Sequence, residues 1–149
     1  MPLISIVVPC YNEQESLPIF LKELDGVVHT MTQTHPDISF EAVLVDDGSA
    51  DATLTVMKAE TAASHPYTIH WYSFSRNFGK EAALFAGLRH AKGDYVATMD
   101  ADMQDPPSLL PQMYEILQTE DYDNVATRRT TREGEPPIRS FCARMFYKI

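Results

Sequence analysis

The chain has 149 residues with 12 Lys and Arg against 21 Asp and Glu, a formal net charge of -9, and 44% of its residues are hydrophobic. This is long and apolar enough for one globular domain with a real core, which excludes a disordered chain, and its acidity excludes nucleic acid as a partner. The charge is uneven: residues 1–127 sum to -13, whereas residues 128–149, with Arg128, Arg129, Arg132, Arg139, Arg144 and Lys148 against Glu133 and Glu135, sum to +4. Two cysteines, Cys10 and Cys142, cannot build a disulfide framework, so a reducing compartment is expected. The amino terminus lacks the basic segment of a secretory signal, and nothing approaches the roughly 18 apolar residues of a membrane span. The chain as it stands reads as soluble.

Leu3 to Val8 is short, rich in β-branched residues and followed by Pro9, the pattern of a buried strand. From Glu15 to about Met31, apolar residues at Leu17, Phe20, Leu21, Leu24, Val27 and Val28 mark one helical face. Glu41 to Val45 is a second strand ending in Asp46-Asp47-Gly48-Ser49, and Ala52 to about Ala63 is a helix behind Asp51 as cap. A third strand, Thr68 to Ser73, leads through Ser75-Arg76-Asn77-Phe78-Gly79-Lys80 to a helix over 81–91. Gly93 breaks it and Tyr95 to Met99 makes a fourth strand; Asp105-Pro106-Pro107 opens another helix, and Asn124 to Thr127 is a candidate fifth strand. Ile138, Phe141, Cys142, Met145, Phe146 and Ile149 repeat at helical spacing, with Arg139, Arg144 and Lys148 off the stripe. That helix is read as a cover for the sheet in preference to a basic helix at a membrane surface.

Alternating strands and helices predict an α/β architecture, a Rossmann-like, mostly parallel sheet flanked by helices on both faces. Right-handed crossovers then gather the carboxyl ends of the strands along one edge, where such folds bind ligands. The segments after three strands, Pro9 to Glu13, Asp46 to Ser49 and Asp100 to Gln104, should therefore meet in space. Asp100, Asp102 and Gln104 fall at i, i+2 and i+4, so an extended backbone would point their oxygens to one side. Two carboxylates and an amide oxygen suit Mg2+ or Mn2+ and suit zinc poorly, and Mg2+ completes its shell with water and substrate phosphates. A metal-bound di- or triphosphate is the expected ligand. Asp46-Asp47 could accept hydrogen bonds from a base or ribose; the alternative is a turn in which both acids cap local backbone. Tyr11 can stack on a base and Glu13 can accept from its ring or sugar, or they are a packing residue and a first-turn acid. Lys80 could approach a phosphate, although its segment also suits a surface turn.

The series Ser5-Ile6-Val7-Val8-Pro9-Cys10-Tyr11-Asn12-Glu13, then Val45 to Asp51, then Met99-Asp100-Ala101-Asp102-Met103-Gln104-Asp105-Pro106 resembles the family 2 glycosyltransferases, in particular the polyprenyl-phosphate subgroup. The resemblance covers essentially the whole chain and implies a GT-A type fold, here a nucleotide-sugar-binding domain over 1–149 that is truncated at its carboxyl end. It implies that Pro9, Tyr11, Glu13, Val45, Asp46 and Asp47 surround the base and ribose of a UDP- or GDP-sugar, with Lys80, Asp100 and Ala101 also on the nucleotide. Asp102 and Gln104, with Asp100, would hold Mg2+ or Mn2+. Arg129, Arg132 and Arg139 would meet the phosphates of donor and acceptor, Arg129 beside Asp102 as a catalytic residue; where the subgroup often has a serine four positions after Arg139, this chain has Ala143. The implied reaction transfers a sugar, with inversion, to a polyprenyl phosphate at the cytoplasmic face of the cell membrane, the full-length protein being membrane-associated and a homo-oligomer remaining open. The alternatives are a nucleotide-binding domain without catalysis and a transferase with a hydroxyl acceptor. A haloacid dehalogenase-type phosphatase would need a hydroxyl residue where Gln104 stands, a receiver domain would carry its acidic pair after the first strand, and a nucleotidyltransferase would open on a Gly-rich loop.

Overall fold

The computed structural model describes residues 1–128. A compact unit, Met1–Pro111, holds the sheet, and a second begins at Gln112. The first contains β1 (Leu3–Cys10), α1 (Ser16–Thr34), β2 (Ser39–Asp46), α2 (Thr53–Ala62), β3 (Thr68–Ser73), α3 (Lys80–His90) and β4 (Tyr95–Thr98). A 3-10 turn over Pro107–Leu109 then leads into α4 (Leu110–Thr119), so the prolines start this helix with a tighter turn than expected. Residues 124–127 form no strand, contrary to expectation. They are exposed except for a half-buried Val125, and one apolar side chain buries too little surface to fix a strand. The amphipathic pattern over 138–149 and Arg129, Arg132 and Arg139 lie outside the described residues.

The four strands are parallel in the order β3-β2-β1-β4, the α/β sheet that the alternating pattern predicts. The chain adds β2 and β3 on one side of β1, then returns to place β4 on the other, so the order reverses between β1 and β4. Right-handed crossovers put α1 and α2 on one face and α3 on the opposite face. β1 and β2 are consequently buried on both faces, which explains their near-continuous apolar runs. On the α3 face the helix approaches through Ala83 and Gly87; a Cβ on Gly87 would lie 2.3 Å from a Val7 methyl group.

β1 continues through Pro9 to Cys10, two residues beyond the end that proline suggested. Val7 accepts from the Met99 N–H and Cys10 accepts from the Asp47 N–H, so odd-numbered residues of β1 direct their backbone groups toward β4 and even-numbered ones toward β2. The N–H that Pro9 lacks would point past the end of β4, where no strand needs it.

Buried polar groups are matched within the sheet. Glu41, 4% exposed, accepts from Ser5 Oγ at 2.5 Å and from the Lys92 N–H at 2.8 Å, and Ser5 Oγ in turn accepts from the Gly93 N–H. Away from the strands' carboxyl ends, His65 bridges α1 and α2: Nδ1 lies 2.8 Å from Asp25 Oδ1 and Nε2 lies 3.1 Å from Glu60 Oε2. Burial disfavours the imidazolium, but hydrogen bonds and charge from Asp25 and Glu60 outweigh it and raise the pKa above the usual 6.5. A raised folded value means that the stabilisation is complete below the unfolded pKa and disappears as pH rises through the folded one. Thermal melts between about pH 6 and about pH 8 should show the wild type losing its advantage over His65→Gln as pH rises; a pH-independent difference would show that the imidazolium is not what stabilises this contact.

Candidate functional site

The carboxyl edge of the sheet opens into a cavity of about 350 Å³ lined by Pro9, Cys10, Tyr11, Glu13, Asp47, Asn77, Gly79, Lys80, Asp100 and Asp102. It sits where the strand order reverses, the position at which open parallel sheets bind ligands. The three segments expected to converge all reach it.

Two interlocks shape the wall. Asn12, in the left-handed region at φ 53°, donates its N–H to Ser49 Oγ and accepts on Oδ1 from the Ala50 N–H at 2.9 Å. The Glu13 N–H donates to Thr53 Oγ1, and Gln14 accepts from the Ala52 N–H, so the turns after β1 and β2 behave as one piece. Asp51 accepts from the Thr53 N–H, but the N-cap position of α2 is held by Ala52, one residue later than expected. The second interlock is Asp47, 2% exposed, whose carboxylate accepts from the Phe78 N–H at 2.8 Å, the Gly79 N–H at 3.1 Å and Asn77 Nδ2 at 3.2 Å. It binds the turn before α3 to the turn after β2. Gly48, at φ +66°, lets the two backbones touch: a Cβ there would lie 2.2 Å from the Arg76 carbonyl carbon.

Of the residues predicted for the nucleotide, Pro9, Tyr11, Glu13, Asp47, Lys80, Asp100 and Asp102 line the cavity, whereas Val45, Asp46 and Ala101 do not; Gln104, predicted for the metal, does not line it either. Val45 and Ala101 are buried in the core. Asp46 is buried and closes its own turn, accepting from the Ser49 N–H at 3.0 Å and from Ser73 Oγ at 2.9 Å. These contacts are those of the turn-cap alternative. The segment after β4 is not extended as the i, i+2, i+4 argument required. It turns, with Met103 at φ 62° and the Gln104 N–H donating to Asp102 Oδ1 at 3.1 Å, so alternation does not align the three side chains.

The cavity is acidic. Lys80 Nζ lies 2.7 Å from Asp100 Oδ2, with side chains 59% and 30% exposed. Burial first, then the charges of Glu13, Asp46 and Asp100, push the Cys10 thiol well above its usual pKa. The shift disfavours the thiolate, the form in which a cysteine acts as nucleophile or metal ligand. Among the described residues no group of three or more His, Cys, Asp or Glu is assembled for a metal ion. The available donors, Asp102 and Asp100, are hard carboxylates without histidine or thiolate, which fits Mg2+ or Mn2+ arriving with a diphosphate and does not fit a closed protein cage. Sequence reasoning missed Cys10, Asn77 and Gly79. For Asn77 and Gly79 the available signal was an Asn- and Gly-containing turn leading directly into a helix.

The family model described as glycosyl transferase family 2 matches residues 5–147. A bactoprenol glucosyl transferase of Shigella phage SfV is 41% identical over 146 residues, 98% of this chain and 45% of the relative. An undecaprenyl-phosphate 4-deoxy-4-formamido-L-arabinose transferase of Sodalis glossinidius is 39% identical over 132 residues, 87% of this chain and 38% of the relative. A mannosyltransferase from Pyrobaculum calidifontis, solved with GDP-Man and Mn2+, superposes with a TM-score of 0.58 at 27% identity over 68% of this chain and 28% of its own. The chain thus spans less than half the length of these relatives.

The Gly48 contact is directly testable. Gly48→Ala should lose about 2 kcal/mol or more in urea denaturation, because backbone strain adds to a backbone clash; a loss below about 0.5 kcal/mol would mean that the two turns can separate freely.

Proposed function

The chain belongs to glycosyl transferase family 2, and on that premise we propose that its cavity binds the nucleoside diphosphate of a UDP- or GDP-sugar for transfer to a polyprenyl phosphate. The observation that carries this proposal is the convergence of Tyr11, Glu13, Asp100, Asp102 and Lys80 on one cavity at the reversal of strand order. Support for the acceptor class comes from the bactoprenol and undecaprenyl-phosphate transferases to which the chain is similar.

Each residue has a role that follows from its chemistry. Tyr11, 49% exposed, offers an aromatic face to the base. Glu13 offers acceptor oxygens to the ring or to ribose hydroxyls, while Asp47 keeps the wall in place. Lys80 supplies a flexible positive charge for the diphosphate. Asp102, with Asp100, would hold Mg2+ or Mn2+, which when bound offsets the negative charge that builds on the departing phosphate. In the transfer an acceptor phosphate oxygen forms a bond to the anomeric carbon as the bond from that carbon to the diphosphate oxygen breaks. The electron pair leaves with the nucleoside diphosphate, and configuration inverts. Because the acceptor oxygen is already anionic, no general base is required. Arg129, Arg132 and Arg139 are assigned to the donor and acceptor phosphates, which suits guanidinium geometry.

The described residues contain no helix long and apolar enough to cross a membrane. The proposal places the whole protein at the cytoplasmic membrane face, where a polyprenyl phosphate is accessible.

Calorimetry with UDP or GDP should show weak binding that needs Mg2+ or Mn2+ and is lost on adding EDTA. Asp102→Ala should weaken metal-dependent binding by about tenfold or more; binding that ignores both EDTA and this substitution would overturn the assignment. In the full-length protein, Arg129→Ala or Arg132→Ala should lower transfer to polyprenyl phosphate at least about tenfold without shifting the melting temperature, and a wild-type rate would remove these arginines from the acceptor site.

A further inference from the structure

We infer that Lys80 and the divalent cation compete for the same carboxylate: in the nucleotide-free protein Lys80 occupies Asp100, and metal-bound diphosphate displaces it onto the phosphates. This rests on the proposed reading of the cavity as a metal–diphosphate site.

The placement of Lys80 is poorly explained by stability. It is the first residue of α3, where the helix dipole presents partial positive charge and favours an acid over a base. Its side chain is 59% exposed and buries little surface, and its ion pair with Asp100 at 2.7 Å is of the exposed kind that contributes little to folding. A local rule broken without a structural return marks a functional position.

The surroundings show what the function is. Lys80, Asp100 and Asp102 share one cavity wall, and the backbone just before Lys80 is fixed because the Phe78 and Gly79 N–H groups donate to buried Asp47. The root of the side chain is therefore anchored while its four-carbon stem can swing. An ammonium is a compact point charge that exchanges a carboxylate for a phosphate without the bidentate geometry of an arginine. While it sits on Asp100 it offsets one of the negative charges that also act on Cys10. It also blocks the second carboxylate that a free cation would need. When a diphosphate brings its own cation, Asp100 turns to the metal and the ammonium turns to the phosphate oxygens. The protein then favours a metal–nucleotide complex over the bare metal.

The test uses Mn2+ alone, its binding to the 149-residue chain followed by electron paramagnetic resonance, and Mn2+ with UDP or GDP followed by calorimetry. Lys80→Met should tighten binding of Mn2+ alone roughly two- to fivefold, the range of an exposed ion pair, and should do so only where Asp100 is intact. The same substitution should weaken binding of the Mn2+ nucleotide. Unchanged or weaker Mn2+ binding by Lys80→Met would overturn the exchange. So would equal tightening in an Asp100→Asn background, which would be a diffuse charge effect. If the wild type binds the Mn2+ nucleotide and Lys80→Met alters neither titration, the exchange fails and the nucleotide site stands. If Lys80→Met tightens Mn2+ only with Asp100 intact while no variant binds UDP or GDP, the exchange at Asp100 stands and the nucleotide reading fails.

Discussion

A carboxylate taken out of water is expensive unless backbone or side-chain donors replace its hydration, and Asp47 is supplied with such donors from a turn some thirty residues further along the chain. Its own N–H donates to the Cys10 carbonyl, so one residue connects the ends of β1 and β2 with the turn before α3. The cavity depends on this connection. It joins the Phe74 N–H bond to the Asp46 carbonyl in tying the turn before α3 to the sheet edge, and so helps to deliver Lys80 beside Asp100. Gly48 belongs to the same device, since only a residue without a Cβ lets the Arg76 backbone pass so close.

The Asn12 interlock does for one side of the cavity what Asp47 does for the other. Asn12 adopts a positive φ that asparagine tolerates better than most residues, and its amide oxygen accepts backbone N–H groups from the turn after β2. Tyr11 and Glu13 flank it in sequence; the Glu13 N–H is held by Thr53 Oγ1, and its carboxylate accepts from Ser16 Oγ. The result is two braced turns facing a third, Asp100 to Gln104, which turns on the Gln104 N–H and Asp102 Oδ1. Binding groups are thus presented by backbone geometry that was settled before any ligand arrives, which lowers the ordering cost of binding.

Much of this was legible in the residues because parallel α/β folds carry strong periodic signals and a topological rule that converts strand ends into a site. Ile4, Val7, Val43 and Leu44 could hardly be anything but a buried parallel core, and the convergence of the three acidic segments follows from handedness alone. What failed was local. Pro9 suggested the end of β1, but only one of β1's two edges requires an N–H at that point. The i, i+2, i+4 alignment assumed an extended backbone, while Met103 takes a left-handed conformation that composition does not signal. Asp46 and Asp47 look equivalent in sequence, yet strand alternation sends them to different partners: Asp46 closes its own turn toward Ser73, and Asp47 faces the cavity and Asn77. Adjacent identical residues at the end of a strand are separated by the pleat, and no pattern in their own composition reveals which does which.

The charge of the cavity finally bears on why a diphosphate would need a cation here. Among the described residues, Glu13, Asp47, Asp100 and Asp102 line the wall against one lysine, Lys80. Asp47 is engaged by backbone donors, but hydrogen bonds distribute its charge and do not cancel it. Under the proposed reading, a diphosphate approaching these carboxylates meets repulsion that Lys80 offsets least while its ammonium is paired with Asp100. A divalent cation reverses the balance because the carboxylates that repel the bare nucleotide attract the metal it carries. Under the proposed reading, the acidity that disfavours a naked anion would favour one already bound to metal.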